Sequence, residues 1–338
     1  MVHLRIVVPS HNAEHALDLL RATHSVINLI YLERAAHKPE GDVILCDVAR
    51  EDASVVVADL RELGIEQEGS IAIEQIDSAI SDAAKRAERA AAGAPSDAVV
   101  WEEVESRTSE NTELSVNFLL FMVLACLIAS VGILLDSPIL IIGAMVVGPE
   151  FGPIAGLCVA AVQRRGDLVK RSLLPLAIGF PLGITAACLF ALAIKGVDLT
   201  PSGFSASVHP NTDFISHPDE FSFLVAVFAG TAGVLSLTSA KSGALVGVLI
   251  SVTTIPAAAN IGVAFAYADW SEWRGAMGQL AVNLSAILLA GIVTLFIQRR
   301  IYRRRRVAHL HEEARGLAGL PVGQSRRQMR VGGASRPD

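Results

Sequence analysis

Between residues 118 and 298 the chain is almost free of charge, and its apolar residues gather into runs at about 118–135, 139–162, 172–194, 222–238, 243–266 and 278–298. Each run is near the roughly 20 residues that a helix needs to cross a bilayer. The sequence therefore predicts an α-helical polytopic membrane domain of about six spans. Composition agrees, because 52% of the residues are hydrophobic and 18% charged, against about 45–50% and about 25% in ordinary globular chains. Something besides a water-soluble core must absorb that apolar excess. Residues 1–113 hold most of the acids and no long apolar run, so a water-exposed domain is expected ahead of the spans. The opening MVHLRIVVPSHN is too short in apolar residues for a signal peptide and has no small-residue cleavage site. The N-terminal domain is accordingly expected in the cytoplasm.

Within that domain, residues 2–8, Val26–Arg34 and Asp42–Val48 are β-branched and strand-like, and Ile71, Ile73 and Ile76 supply a last strand. Ala16, Leu17, Leu19 and Leu20 recur at helical spacing after Ser10 and Asn12, either of which can cap a helix. A second helix over Glu51–Leu63 presents Val55, Val56, Leu60 and Leu63 and stops at Gly64, which suits a left-handed cap. The order βαββαβ is the ferredoxin-like α+β unit. The predicted organisation is a ferredoxin-like domain at 1–77, a helical connector at 78–116, the transmembrane domain at 117–298 and a basic, disordered tail at 299–338. Trp101 in the connector is open to an interfacial or a packed position. The histidines and the four cysteines show no metal-ligand spacing and no disulfide framework, so neither metal nor cofactor is expected.

Orientation follows from the basic residues. Arg164, Arg165, Lys170 and Arg171 lie in one turn, and Arg299 and Arg300 open the tail. Both groups act as topology anchors on the cytoplasmic side of an inner membrane. With six crossings, both termini are then cytoplasmic, and the 195–221 and 267–275 loops face outward.

The second run contains Gly148-Pro149-Glu150-Phe151-Gly152-Pro153, which cannot continue as regular helix. Only about nine residues precede it, roughly 13 Å at 1.5 Å per residue, so the break falls near mid-bilayer. Backbone freed at that depth needs protein, ligand or water as partner. A carboxylate there, Glu150, is costly and marks a functional position. Shifting the chain by 104 positions lays the last three runs on the first three and sets this break against Val252–Ala257, which contains Thr253, Thr254 and Pro256 and is followed by Asn260. Three crossings per half place the halves in opposite orientation, the 3+3 inverted repeat of many transporters. The expected solute or ion site comprises Gly148, Pro149, Glu150, Gly152, Pro153, Thr253, Thr254, Pro256, Asn260 and Asn283, with Glu150 and Asn260 bordering one hydrated cavity.

The run DSPILIIGAMVVGPEFGPIAG (Asp136–Gly156), the preceding Asn111-Thr112-Glu113 and the N-terminal βαββαβ order together resemble the domain of unknown function 389 family. The resemblance covers about residues 1–298 and implies a multi-span membrane protein with no established reaction. Gly143, Pro149, Gly152 and Pro153 match the family's pattern, whereas many of its members are apolar where this chain has Glu150.

No HExxH, GxSxG or GxxxxGK[ST] signature occurs and no histidine lies in a span, so an enzyme is not expected. The leading expectation is a transporter or channel for a small solute or ion with a ligand-sensing or assembly domain. A membrane-anchored sensor or scaffold is the alternative, although an anchor has no need of a mid-bilayer break. Membrane lipid is the expected surrounding, nucleic acid is not an expected partner, and Gly179/Gly183 and Gly230/Gly233 permit the close helix approach either of a homo-oligomer, the leading expectation, or of spans within one subunit.

Overall fold

The structure is a computed structural model that describes residues 1–76, 81–91, 98–201, 204, 211–212, 215–217, 219–238 and 254–324. Thr253, Lys241 and the first part of the run at 243–266 lie outside the described residues. The chain forms two compact units, Met1–Val104 together with the segment from Gln298 onward, and Glu105–Ile297.

The first unit is a four-stranded antiparallel sheet with helices. Its elements are β1 (Val2–Val8), α1 (Ala13–Ala22), β2 (Val26–His37), β3 (Glu40–Val48), α2 (Arg50–Glu62), the short α3 (Ile65–Glu68) and β4 (Ser70–Gln75). Strand order is β2-β3-β1-β4, with both neighbours of β1 antiparallel to it. Alternation sets the register: Val2, Leu4, Ile6 and Val8 point to one face and are buried there with Leu19, Leu20, Val56 and Leu60. Gly64 takes φ 86°, the left-handed conformation that the end of α2 was expected to need. β2 runs three residues past its predicted end and leaves Ile30, Tyr31 and Leu32 exposed. Two helices follow β4, namely α4 (Asp82–Ala90) and α5 (Trp101–Asn111). Trp101 is packed rather than interfacial: it is buried, its backbone N–H donates to Ser54 Oγ at 2.9 Å, and its ring lies 6.2 Å from that of Tyr302.

The expectation of a disordered tail is overturned between residues 299 and 324. The last long helix continues to His309 and a further short helix covers Glu313–Leu317. Ala314, Ala318 and Leu320 enter the core of the sheet unit. An ionic cluster accompanies them: the fully buried Asp59 carboxylate accepts hydrogen bonds from Arg315, itself fully buried, and pairs with Arg306 at 2.5 Å and His309 Nε2 at 2.8 Å. Glu62 receives Arg306 at 3.0 Å and Arg315 at 2.8 Å. Reading 299–338 as a topology anchor alone missed this because a run of arginines hides the spacing of Leu310, Ala314 and Ala318 behind it.

Burial of the His309 ring disfavours its charge, but the Asp59 and Glu312 carboxylates outweigh that and raise its pKa above the ordinary value. A raised folded-state pKa stabilises the docked segment fully below about pH 6.5, the ordinary histidine value, and loses that stabilisation as pH rises through the raised value. Hydrogen exchange in Glu313–Leu317, corrected for the intrinsic rate, is expected to show protection falling with pH across that window. In His309→Gln this pH dependence should be absent, and an unchanged dependence would contradict the assignment.

The second unit is helical: α6 (Val116–Leu134), α7 (Pro138–Val147), α8 (Phe151–Gln163), α9 (Gly166–Gly196), α10 (Glu220–Thr238), α11 (Ile255–Tyr267) and α12 (Trp270–His309), whose last turns belong to the first unit; Glu313–Leu317 is α13. By length and composition, α6, α9, α10 and α12 can each cross a membrane, and the bent pair α7–α8 makes a fifth span if counted as one. Much of their apolar surface faces outward, as at Ile139, Phe221, Phe228 and Leu289, which a soluble protein would not leave open on this scale. Inside, small residues bring backbones together. A Cβ added to Gly262 would lie 2.5 Å from the Ile184 carbonyl oxygen and 2.8 Å from Ala187 Cβ. Gly262→Ala is therefore expected to destabilise the α9–α11 contact by about 1–3 kcal/mol, read as a lower melting temperature in detergent; an unchanged value would show that the helices can separate freely there.

Candidate functional site

The break expected in the second run is present but narrower. α7 ends at Val147, Gly148 leaves the helix with ψ 127°, and α8 starts at Phe151 after a bend of 56°. Gly152 and Pro153 belong to the first turn of α8, where a missing proline N–H leaves no bond unmade. Only Gly148, Pro149 and Glu150 interrupt the chain.

Glu150 is completely buried at the N-cap of α8. Its Oε1 accepts a hydrogen bond of 2.6 Å from Oγ1 of Thr254, which is equally buried and stands at the N-cap of α11, one residue ahead of the first turn that holds Pro256. Two helix N-termini thus meet at one carboxylate, the pole at which a helix favours negative charge. Oε2 is buried with no hydrogen-bond partner. Space is tight on this side: a Cβ on residue 148 would collide with the Glu150 carboxylate and lie 2.7 Å from Ile255 Cγ1, so any larger residue there would displace one of these side chains. A buried carboxylate oxygen without a donor is unfavourable. It can be relieved by a proton, a small ligand or water, and this open valence is what the arrangement offers chemically.

Asn260 and Asn283 have other partners. Asn260 was expected to share a cavity with Glu150; its Nδ2 instead donates to Glu272 Oε2 at 3.3 Å, on the first turn of α12. Asn283 Oδ1 accepts from Gln279 Nε2 at 3.3 Å, one turn away on the same helix. Asn283 meets Gln279 one turn away on its own helix, and Asn260 reaches Glu272 on the next helix, 12 positions along the chain. Sequence reasoning missed Glu272 by placing it in a loop. The signal was present in Asp269-x-x-Glu272, where Asp269 Oδ1 caps the helix by accepting from the backbone N–H groups of Ser271 and Glu272 at 3.1 Å. Among the basic residues, Arg165 pairs with Glu105 and with Asp167, Arg164, Lys170, Arg171 and Arg300 are exposed, and Arg299 is half-buried. Among the described residues no group of three or more His, Cys, Asp or Glu is placed to hold a metal.

Several long apolar helices with an apolar outer surface are those of a multi-pass membrane protein. Within that class, residues 145–289 match the family described as a domain of unknown function (DUF389), the same family that Asp136–Gly156 resembles, and the matched segment contains both Glu150 and Thr254. An uncharacterised protein of Methanocaldococcus jannaschii is 27% identical over 198 residues, which is 58% of this chain and 58% of the relative's own length. No solved structure matches.

Proposed function

We propose that this protein is a membrane transporter or channel for a small solute or ion, built from six spans in two inverted halves, with its ferredoxin-like domain serving ligand sensing or assembly. The observation that carries the reading is the recurrence of helix bounds at one spacing. α6 and α10 have 19 residues each, α8 and α11 have 13 each, and α9 and α12 begin just after them. Every one of these starts is displaced from its counterpart by the same 104 positions that separate Glu150 from Thr254. Even the left-handed residues after α8 and α11, Arg164 and Ala268, both at φ 59°, obey it.

Contacts repeat with the bounds. Gly183 approaches Cys126 and, at the shifted positions, Ile287 approaches Gly230. Across the halves, Gly262 lies against Ile184 and Ala187, while Cys158 lies against Leu288 and Gly291. Such reciprocal contacts are what a two-fold relation requires. Glu150 and Thr254, 104 positions apart, touch each other, which supports an axis passing between them. Inverted halves around a midplane site with interrupted helices suit alternating access. The exposed Ile30, Tyr31 and Leu32 on the edge strand β2 support assembly into a homo-oligomer.

Purified protein in proteoliposomes should carry at least one tracer from a panel of protons, sodium, potassium, chloride, phosphate and small neutral solutes faster than empty liposomes do. No flux across that panel would favour a membrane-anchored sensor instead.

A further inference from the structure

In the first unit, Glu51 sits in the first turn of α2, only 5% exposed, and neither of its carboxylate oxygens has a hydrogen-bond partner. The positive end of α2 makes a carboxylate tolerable there. The neighbouring cations are engaged elsewhere: Arg50 bonds Glu103 at 3.2 Å and the Ala98 carbonyl at 3.1 Å, and the N-terminal ammonium group lies 3.7 Å from Glu88. Burial pushes the Glu51 carboxyl above its ordinary range, with Asp52 and Glu88 adding to the effect and the N-terminal charge opposing it.

Glu51 lines a cavity together with Ala98, Val99, Ile301, Tyr302 and Arg305. The cavity measures about 50 Å³, several times the ~10–15 Å³ that one water needs on the same scale. Room for about four or five non-hydrogen atoms follows. One wall carries an acid and another a guanidinium, and the two do not bond each other, since both Glu51 oxygens are without partners. A lone cation would meet the charge of Arg305 and a lone anion that of Glu51. A molecule bearing both charges satisfies both walls, with Ile301, Ala98 and the Tyr302 ring flanking its apolar part.

We infer that this cavity binds a small zwitterion, an amino acid of the size of glycine, its ammonium on Glu51 and its carboxylate on Arg305. The inference names a ligand for the sensing role of the domain and does not depend on transport. It is tested by binding on the full-length protein in detergent, so a failure here leaves the flux assay untouched, and the reverse holds as well.

Isothermal titration with glycine, alanine and β-alanine is expected to show saturable millimolar or tighter binding for glycine at least. Methylamine and acetate, each carrying one of the two charges, should bind at least about tenfold more weakly, the loss of one charge-assisted bond. Glu51→Gln and Arg305→Gln should each abolish the signal. Because Glu51→Gln removes a buried carboxylate without changing its shape, it is expected to keep the melting temperature at or above the parent value. Absence of glycine binding, or binding that survives Glu51→Gln, overturns the inference.

Discussion

In proteoliposomes, Glu150→Gln is expected to reduce flux of the transported tracer to the level of empty liposomes, while elution volume and helix content stay unchanged. Glutamine has nearly the same shape and keeps an oxygen that can accept from the Thr254 hydroxyl, so the 2.6 Å contact survives. What is lost is the carboxylate charge at the meeting point of α8 and α11, and with it the capacity to take up and release a proton or a cation. Thr254→Val should have a smaller effect. It leaves Glu150 buried without the Thr254 hydroxyl as donor, a change of about 1–3 kcal/mol, and slows rather than stops flux. Undiminished flux in Glu150→Gln would make the carboxylate a helix-capping charge and nothing more.

A comparably large effect is expected in the first unit. Asp59→Ala leaves the fully buried Arg315 and the half-buried Arg306 with Glu62 as the carboxylate that, among the described residues, still pairs with both. Removing one member of a buried ion cluster costs about 3–5 kcal/mol because a charge is left uncompensated. Exchange protection across α13 should then fall by roughly two to three orders of magnitude, since each 1.4 kcal/mol is a factor of ten in the opening equilibrium. The sheet itself should keep its protection, as its strands are held by the alternating apolar face of β1. Protection of α13 equal to that of the parent would mean that Ala314, Ala318 and Leu320 alone hold the segment.

These two sites differ in how far they could be read from the residues. Strands and helices of the sheet unit were legible because period-two and helical spacing each bury one face, and β1 with Val2, Leu4, Ile6 and Val8 shows the rule directly. The break at Gly148–Glu150 was legible because proline and glycine act locally on the backbone. Partner choice was not. Asn260 bonds Glu272, and that depends on α12 beginning at the Asp269-x-x-Glu272 cap, in a stretch whose mixed polar composition reads as a loop. Glu51 and Asp59 were passed over because both lie in a polar-looking helix, and a carboxylate's burial depends on what covers it. In both cases the covering chain comes from beyond residue 297, more than 230 positions away.

The inverted arrangement of the two halves is the central claim, and side-specific labelling tests it most directly. In a background with Cys46, Cys126, Cys158 and Cys188 replaced, single cysteines at Arg164 and at Ala268 mark the left-handed residues that follow α8 and α11. A membrane-impermeant maleimide should label Arg164→Cys only in inside-out vesicles and Ala268→Cys only in right-side-out vesicles. Labelling of both from the same side would contradict the inverted repeat and the transport mechanism built on it.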